Sequence, residues 1–323
     1  MTSRRRRIAK WTALALLALG VALLVVVQVR GRRRFEAEVP SIRASADPAV
    51  IARGEFLAQG PAHCSGCHAA HIGEFHAMRP AQTIVPRGGV RWKLPFGEFR
   101  SANLTSDQAT GLGGWSDGEI ARAIRHGVGR DGHLLPLMAL AVGEFSDADL
   151  TAVVSYLRTL APVRRPLPPE SPNTLGYALL AFAMAPAHPG PPPAHVEPGP
   201  TVEYGRYLTR VAVCVGCHSP ADGSFHTIEP HFSGGDPEPA DDDPAFEFAA
   251  PNLTRGGVLA GFNEDGFIAR MRAGRRFPDS HMPWENFARM SDDDLRAIWR
   301  YLQTVPTSSR VTGPTRRRAG WKG

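Results

Sequence analysis

Two five-residue runs constrain this chain more than anything else in it: Cys64-Ser65-Gly66-Cys67-His68 and Cys214-Val215-Gly216-Cys217-His218. Each is C-x-x-C-H, the attachment signal for c-type haem. One turn of chain has to bring two thiols to the two vinyl groups of a single porphyrin and place the next residue, histidine, as the proximal iron ligand. The chain has four cysteines and the two runs use all of them. A redox C-x-x-C pair needs no histidine after it and no second copy. A zinc site made from two such pairs normally has a much shorter gap than the stretch from Cys67 to Cys214. The runs therefore imply two covalently bound haem c groups, one on Cys64, Cys67 and His68 and one on Cys214, Cys217 and His218.

The amino terminus reads as a membrane helix. Arg4 to Arg7 and Lys10 precede an uncharged apolar run from Trp11 to Val29, and about 20 such residues cross a hydrocarbon core. A cleaved signal peptide is the alternative, but it would have a shorter apolar stretch and a small-x-small cleavage site. Here the run ends in Gln28-Val29-Arg30-Gly31-Arg32-Arg33-Arg34, which favours a retained anchor over residues 1–34. Basic residues flank both ends, so the positive-inside bias is weak. The haem motifs set the orientation, because covalent haem attachment in bacteria takes place outside the cytoplasmic membrane. The expected location is the bacterial inner membrane, with the body in the periplasm.

The formal net charge of +6 comes from the two ends. Residues 1–34 and 310–323 hold fourteen basic residues and no acidic ones; the rest of the chain has 23 basic against 31 acidic. This is the pattern of a membrane flank and a basic carboxy-terminal tail (309–323), and it speaks against nucleic acid as a partner.

The body repeats itself. Arg53-Gly54-Glu55-Phe56-Leu57 before the first haem motif returns as Tyr204-Gly205-Arg206-Tyr207-Leu208. Asn103-Leu104-Thr105 returns as Asn252-Leu253-Thr254. Trp115-Ser116-Asp117-Gly118 corresponds to Phe262-Asn263-Glu264-Asp265, and Phe145-Ser146-Asp147 to Met290-Ser291-Asp292. Each copy reads as three main helices. The first opens at Asp47-Pro48 in copy one, a cap followed by proline at the first helical position. The middle one starts at Ser116 with Glu119 three later, a capping-box pattern. The last carries Leu150, Val153, Val154, Leu157 and Leu160 in copy one and Leu295, Ile298, Trp299, Leu302 and Val305 in copy two, each a single buried stripe. Gly54 and Gly205 are expected to let the first helix approach the last closely. The copies span 45–160 and 201–308.

Residues 161–200 lie between them, and twelve of those forty are proline. Such a stretch forms no core of its own. Its apolar run, Leu175 to Met184, is too short to span a bilayer. It is expected to pack as a short helix against the domains, with contact to the membrane surface as the alternative.

A second protein ligand closes an iron site and makes it an electron-transfer centre, and a thioether sulfur raises the potential. In small c-type domains that ligand is usually a methionine in a loop before the last helix. Met282, in Ser280-His281-Met282-Pro283-Trp284, stands in that position. Met138, in Leu134-Leu135-Pro136-Leu137-Met138, is the one methionine of the corresponding loop, which is a residue shorter and has no proline after the methionine. The histidines weighed as alternatives are His126, His133 and His281, with His71, His76, His226 and His231 soon after the haem motifs. Asn103 and Asn252 also spell a glycosylation sequon. Here they are read as loop residues that hold the chain crossing the haem edge, by way of a propionate.

The chain resembles membrane-anchored dihaem cytochromes c of proteobacteria over about residues 45–308. The resemblance is carried by Ala62-His63-Cys64-Ser65-Gly66-Cys67-His68, Asn103-Leu104-Thr105 through Asp131-Gly132, Cys214 to His218, and His281-Met282-Pro283-Trp284. It is also similar to the cytochrome subunits of periplasmic alcohol- and gluconate-type dehydrogenases, which usually carry three such domains where this chain has two. The resemblance implies a mainly α fold, two tandem class I cytochrome c domains after an amino-terminal transmembrane helix, with iron ligated by His68 and Met138 and by His218 and Met282. It implies an electron carrier rather than an enzyme, with no catalytic residues. Its partners would be redox proteins: a dehydrogenase, a soluble cytochrome or a terminal oxidase. The reading from another class is a dihaem enzyme, a peroxidase or thiosulfate-oxidising cytochrome with one open haem.

Overall fold

Side-chain caps start most of the helices in this computed structural model, which describes residues 3–79, 82–141, 144–187, 190–222, 227–240 and 243–321. Helix α1 (Ser3–Arg30) is the apolar amino-terminal segment, and among the described residues it is the one helix long and apolar enough to cross a membrane. Copy one follows with α2 (Pro48–Gln59), α3 (Cys64–Cys67), α4 (Ile72–His76), strands β1 (Arg91–Leu94) and β2 (Gly97–Arg100), then α5 (Asp117–His126), α6 (Pro136–Ala141) and α7 (Asp147–Thr159). Strand β3 (Ser171–Pro172) and α8 (Thr174–Phe182) come from the connecting stretch. Copy two has α9 (Val202–Val211), α10 (Cys214–His218), β4 (Glu238–Pro239), β5 (Phe246–Phe248), α11 (Glu264–Arg272), α12 (Trp284–Phe287), α13 (Asp292–Leu302) and β6 (Arg316–Arg318).

The caps are the expected ones. Asp47 accepts from the Ala49 amide at 2.8 Å ahead of Pro48. Ser116 and Glu119 make both halves of a capping box, whereas Asn263 caps α11 alone, through the Gly266 amide. Ser146 and Ser291 start α7 and α13 in the same way, each accepting from an aspartate amide three residues on at 3.1 Å. Each such cap contributes about 1 kcal/mol.

In both copies the first helix packs on the last, α2 on α7 and α9 on α13. Glycine makes this contact. A Cβ on Gly54 would lie 1.9 Å from the Ala152 carbonyl oxygen, and one on Gly205 would lie 1.8 Å from that of Ala297. The buried stripes of α7 and α13 then fall into one core that runs through both copies, with Leu57, Leu150 and Val154 on one side and Tyr204, Leu208 and Leu295 on the other. Polar groups sit where the copies meet. Asp149 takes two 2.8 Å bonds from the Arg53 guanidinium and one of 2.6 Å from the Tyr207 hydroxyl, and Arg53 also donates to Tyr204. The docking is reciprocal. Glu144, from the loop before α7, pairs with Arg210 at the end of α9. Asn286, from the corresponding part of copy two, donates to the Gln59 carbonyl at 2.6 Å and to the Ser65 hydroxyl at 3.0 Å.

The repeat also runs past the last helix of each copy. Strands β1 and β2 form a hairpin to which β3 adds antiparallel; β4 and β5 form another, to which β6 adds antiparallel. The stretch just after α7 and the carboxy-terminal stretch are therefore equivalent third strands. The arginines of the basic tail are built in: Arg317 pairs with Glu247 at 2.7 Å, and Arg316 pairs with Asp279 and lies 3.9 Å over the Phe246 ring. The rest of the connecting stretch lines the body. The Pro193 and Ala194 carbonyls accept from the first two amides of α7, and His126 bonds the Ala187 carbonyl. Helix α8 packs on copy one through Leu180, with Met184 just past its end, against Val128 and Leu134.

Candidate haem-attachment sites

Both attachment motifs begin with a strained residue. His63 and Val213, directly before the first cysteines, have φ of 38° and 52°. A β-branched residue in this left-handed region is an outlier that costs on the order of 1–2 kcal/mol. The strain appears in both copies at the turn that swings the helix end into the motif. None of the four cysteines is in a disulfide. Burial pushes the thiols of Cys64 and Cys214 up to about 12, the opposite of the depressed thiol that a redox C-x-x-C pair needs.

The histidines carry the clearest sign of what the motifs hold. His68 Nδ1 lies 2.8 Å from the Ala102 carbonyl oxygen, and His218 Nδ1 lies 2.9 Å from that of Pro251. A carbonyl only accepts, so Nδ1 bears the proton and Nε2 keeps its lone pair for a metal. Burial holds both imidazoles below the ordinary histidine value, in the neutral form that ligates iron. Two thiols and one imidazole with its tautomer set by a carbonyl fit a covalent haem in each copy. Among the described residues no group of three or more His, Cys, Asp or Glu side chains is gathered to hold a bare metal ion, which is no support for zinc.

The carbonyls that orient the histidines belong to the residues just before Asn103 and Asn252, and this gives those asparagines a place. Asn103 Oδ1 accepts from the amide and hydroxyl of Thr105, and its Nδ2 donates to the Val163 carbonyl at 2.8 Å. Asn252 does the same with Thr254 and with the Ser308 and Arg310 carbonyls. Both are buried, with both ends of the amide bonded within the protein. They tie the histidine-orienting loop to the chain leaving the last helix. The propionate contact expected from the sequence is not needed to satisfy them.

Met282 is half-buried and joins the core cluster that also holds Cys64 and Cys214. Its loop is braced by Arg275, which pairs with Glu285 at 2.8 Å, each side chain 7% exposed, and donates to the Ser280 carbonyl at 2.6 Å. Met138 is half-buried within α6 and is not part of that cluster; its neighbours Ala139 and Leu140 pack beneath α8. The competing histidines have other ties. His133 pairs with Asp131, His281 approaches Glu238, His231 approaches Glu229, and His71 caps α4. His226 lies outside the described residues.

Two arginines were missed from the sequence. Arg125 and Arg272 end the middle helices, and each joins the first acidic residue of the last helix, Asp147 and Asp292, at 2.8 Å. They occupy equivalent positions in the two copies, so comparing the copies position by position would have found them.

No protein-family model matches the chain. It is similar to the cytochrome c subunit of alcohol dehydrogenase (quinone) from Gluconacetobacter polyoxogenes, 27% identical over 281 residues that cover 81% of this chain and 57% of that one. It is likewise similar to the gluconate 2-dehydrogenase cytochrome c subunit of Pantoea cypripedii, at 29% over 80% and 60%. A diheme c-type cytochrome of Cereibacter sphaeroides is 29% identical over 79% of this chain and 85% of its own. The chain thus spans little more than half the length of the dehydrogenase subunits it matches. With two attachment motifs, each with its imidazole set for iron, it is similar to these c-type cytochromes, and its cofactor is covalently bound haem c.

Proposed function

We propose that the chain is a membrane-anchored dihaem carrier of single electrons in the periplasm. It would take electrons from a dehydrogenase or respiratory complex and deliver them to a downstream acceptor such as a terminal oxidase. The observation that carries this reading is the duplicated histidine geometry, a carbonyl on Nδ1 at 2.8 and 2.9 Å in two motifs of one packed body. The body is read as two tandem class I cytochrome c domains, 45–160 and 201–308, with α2, α5 and α7 around one site and α9, α11 and α13 around the other. Met138 and Met282 are assigned as the sixth ligands, because each precedes the last helix of its copy. Haem supplies a one-electron couple when bound. The chain's own part is to orient and keep neutral the two imidazoles, hold the Asn-Leu-Thr loops and keep water from the core. No bond-making step is assigned to any residue.

The relatives named as dehydrogenase cytochrome subunits support a dehydrogenase as donor. Retention of α1 is supported by the chain just after it, which is built into copy one: the Phe35 amide donates to the Gly132 carbonyl, and Phe35 packs with Val128 and Leu134. Coulometric titration of the purified full chain tests the carrier reading. It should take up two electrons per chain, in two reversible one-electron steps. Sustained turnover of hydrogen peroxide or thiosulfate beyond those two electrons would replace it with the dihaem-enzyme reading.

A further inference from the structure

Four arginines stand at the carboxy-terminal end of α1, where a membrane helix pointing outward would not need them. The structure gives three of them a task. Arg30 Nε donates to the Ala181 carbonyl at 2.8 Å, and Arg33 Nη2 donates to the Met184 carbonyl at 3.3 Å. The Ala181 carbonyl is in the last turn of α8, the negative pole of that helix, and Met184 lies two residues past its end. Arg32 lies 4.1 Å over the Tyr177 ring. At Gly31 the two segments touch so closely that a Cβ would stand 2.6 Å from the Tyr177 carbonyl oxygen. Helix α8 is therefore fastened to the point at which α1 ends.

One side of α8 is buried, with Leu180 at 9% and Ala181 at 0% exposure. Leu175 and Phe182 are 52% and 58% exposed. They are seven residues apart, so they share one stripe of the helix. Large apolar side chains set beside the end of a bilayer-length helix, with the exposed Arg30 5.4 Å over the Phe182 ring and the exposed Arg32 over Tyr177, match an interface that is apolar below and anionic above.

We propose that α8 is a foot on the membrane surface: Leu175 and Phe182 enter the acyl boundary of an anionic phospholipid bilayer, and Arg30 and Arg32 meet its headgroup phosphates. Copy one, not copy two, then rides against the membrane, with α6 and the Pro95-Phe96 turn, which both touch α8, on that side. The proposal rests on reading α1 as a retained span.

Haem attachment consumes all four native thiols, so an introduced cysteine is the one free thiol of the holoprotein. Leu175→Cys, Phe182→Cys, Val21→Cys in α1 and the 85% exposed Val311→Cys would each be spin-labelled in the full chain. The labelled chains would be reconstituted into vesicles of phosphatidylglycerol and phosphatidylcholine, and depth read from collisions with oxygen and with a water-soluble nickel complex. Labels at 175 and 182 should sit about 5–10 Å into the headgroup and acyl boundary, the label at 21 in the hydrocarbon, and that at 311 in water. Labels at 175 and 182 in water, with 21 in hydrocarbon, would overturn the foot alone. A label at 21 in water would overturn the anchor reading and the foot with it.

Discussion

The two copies are alike on one side of the haem site and unlike on the other. On the histidine side the agreement is close. Both have a positive-φ residue before the motif, Nδ1 on a carbonyl, and an asparagine tying that loop to the chain beyond the last helix. On the methionine side they diverge. Copy one braces its loop with backbone, through the Val128–Leu134 bridge and the bond from the Leu135 amide to the Gly127 carbonyl, and Met138 then falls in a short helix under α8. Copy two braces its loop with the buried Arg275–Glu285 pair, and Met282 sits in a turn ahead of Pro283. Attachment and proximal ligation demand one geometry, so the duplication preserved it. The distal side sets potential and access, and there each copy has its own solution.

The largest break in this comparison should come from Glu285→Gln. It leaves the Arg275 charge buried without its partner, at a cost of about 3–5 kcal/mol, and among the described residues copy one has no equivalent pair to lose. Thermal unfolding should fall accordingly, and carbon monoxide should gain access to the haem on His218 while the haem on His68 stays closed. A loss no larger than that from removing an exposed ion pair would mean that the loop is held by something else.

Removing the shared element should sharpen the likeness. Asn103→Ala and Asn252→Ala each strand buried carbonyls and free a histidine-orienting loop, at about 1–3 kcal/mol. Each should shift the potential of its own haem and leave the other in place, by similar amounts in redox titration. A shift in one copy only would show that the loops are not equivalent.

Much of this was legible in the sequence because it is local. The C-x-x-C-H runs, the caps at Asp47, Ser116, Ser146 and Ser291, the stripes of α7 and α13 and the two close-approach glycines all depend on residues a few positions apart or on a repeated pattern. The third strands escaped because β3 and β6 are two and three residues long and carry no alternation that a period could reveal. A tail of Arg316, Arg317 and Arg318 reads as solvated charge until Glu247 and Asp279 are found opposite it. The arginines at the end of α1 blurred its topology for the same reason, since their acceptors lie about 150 residues away, at the end of α8 and just past it. Asn286, which reaches from copy two to Ser65 inside the first haem motif, had no signal in its own neighbourhood at all.

We propose that both irons are closed by protein on both sides. Absorption spectra of the purified full chain, reduced with and without carbon monoxide and with haem counted per chain, test it most directly. Two haems per chain and no change with carbon monoxide are expected. A response from half of the haem would contradict it, with the site of His68 and Met138 as the open one, and the enzyme reading would then take the carrier's place.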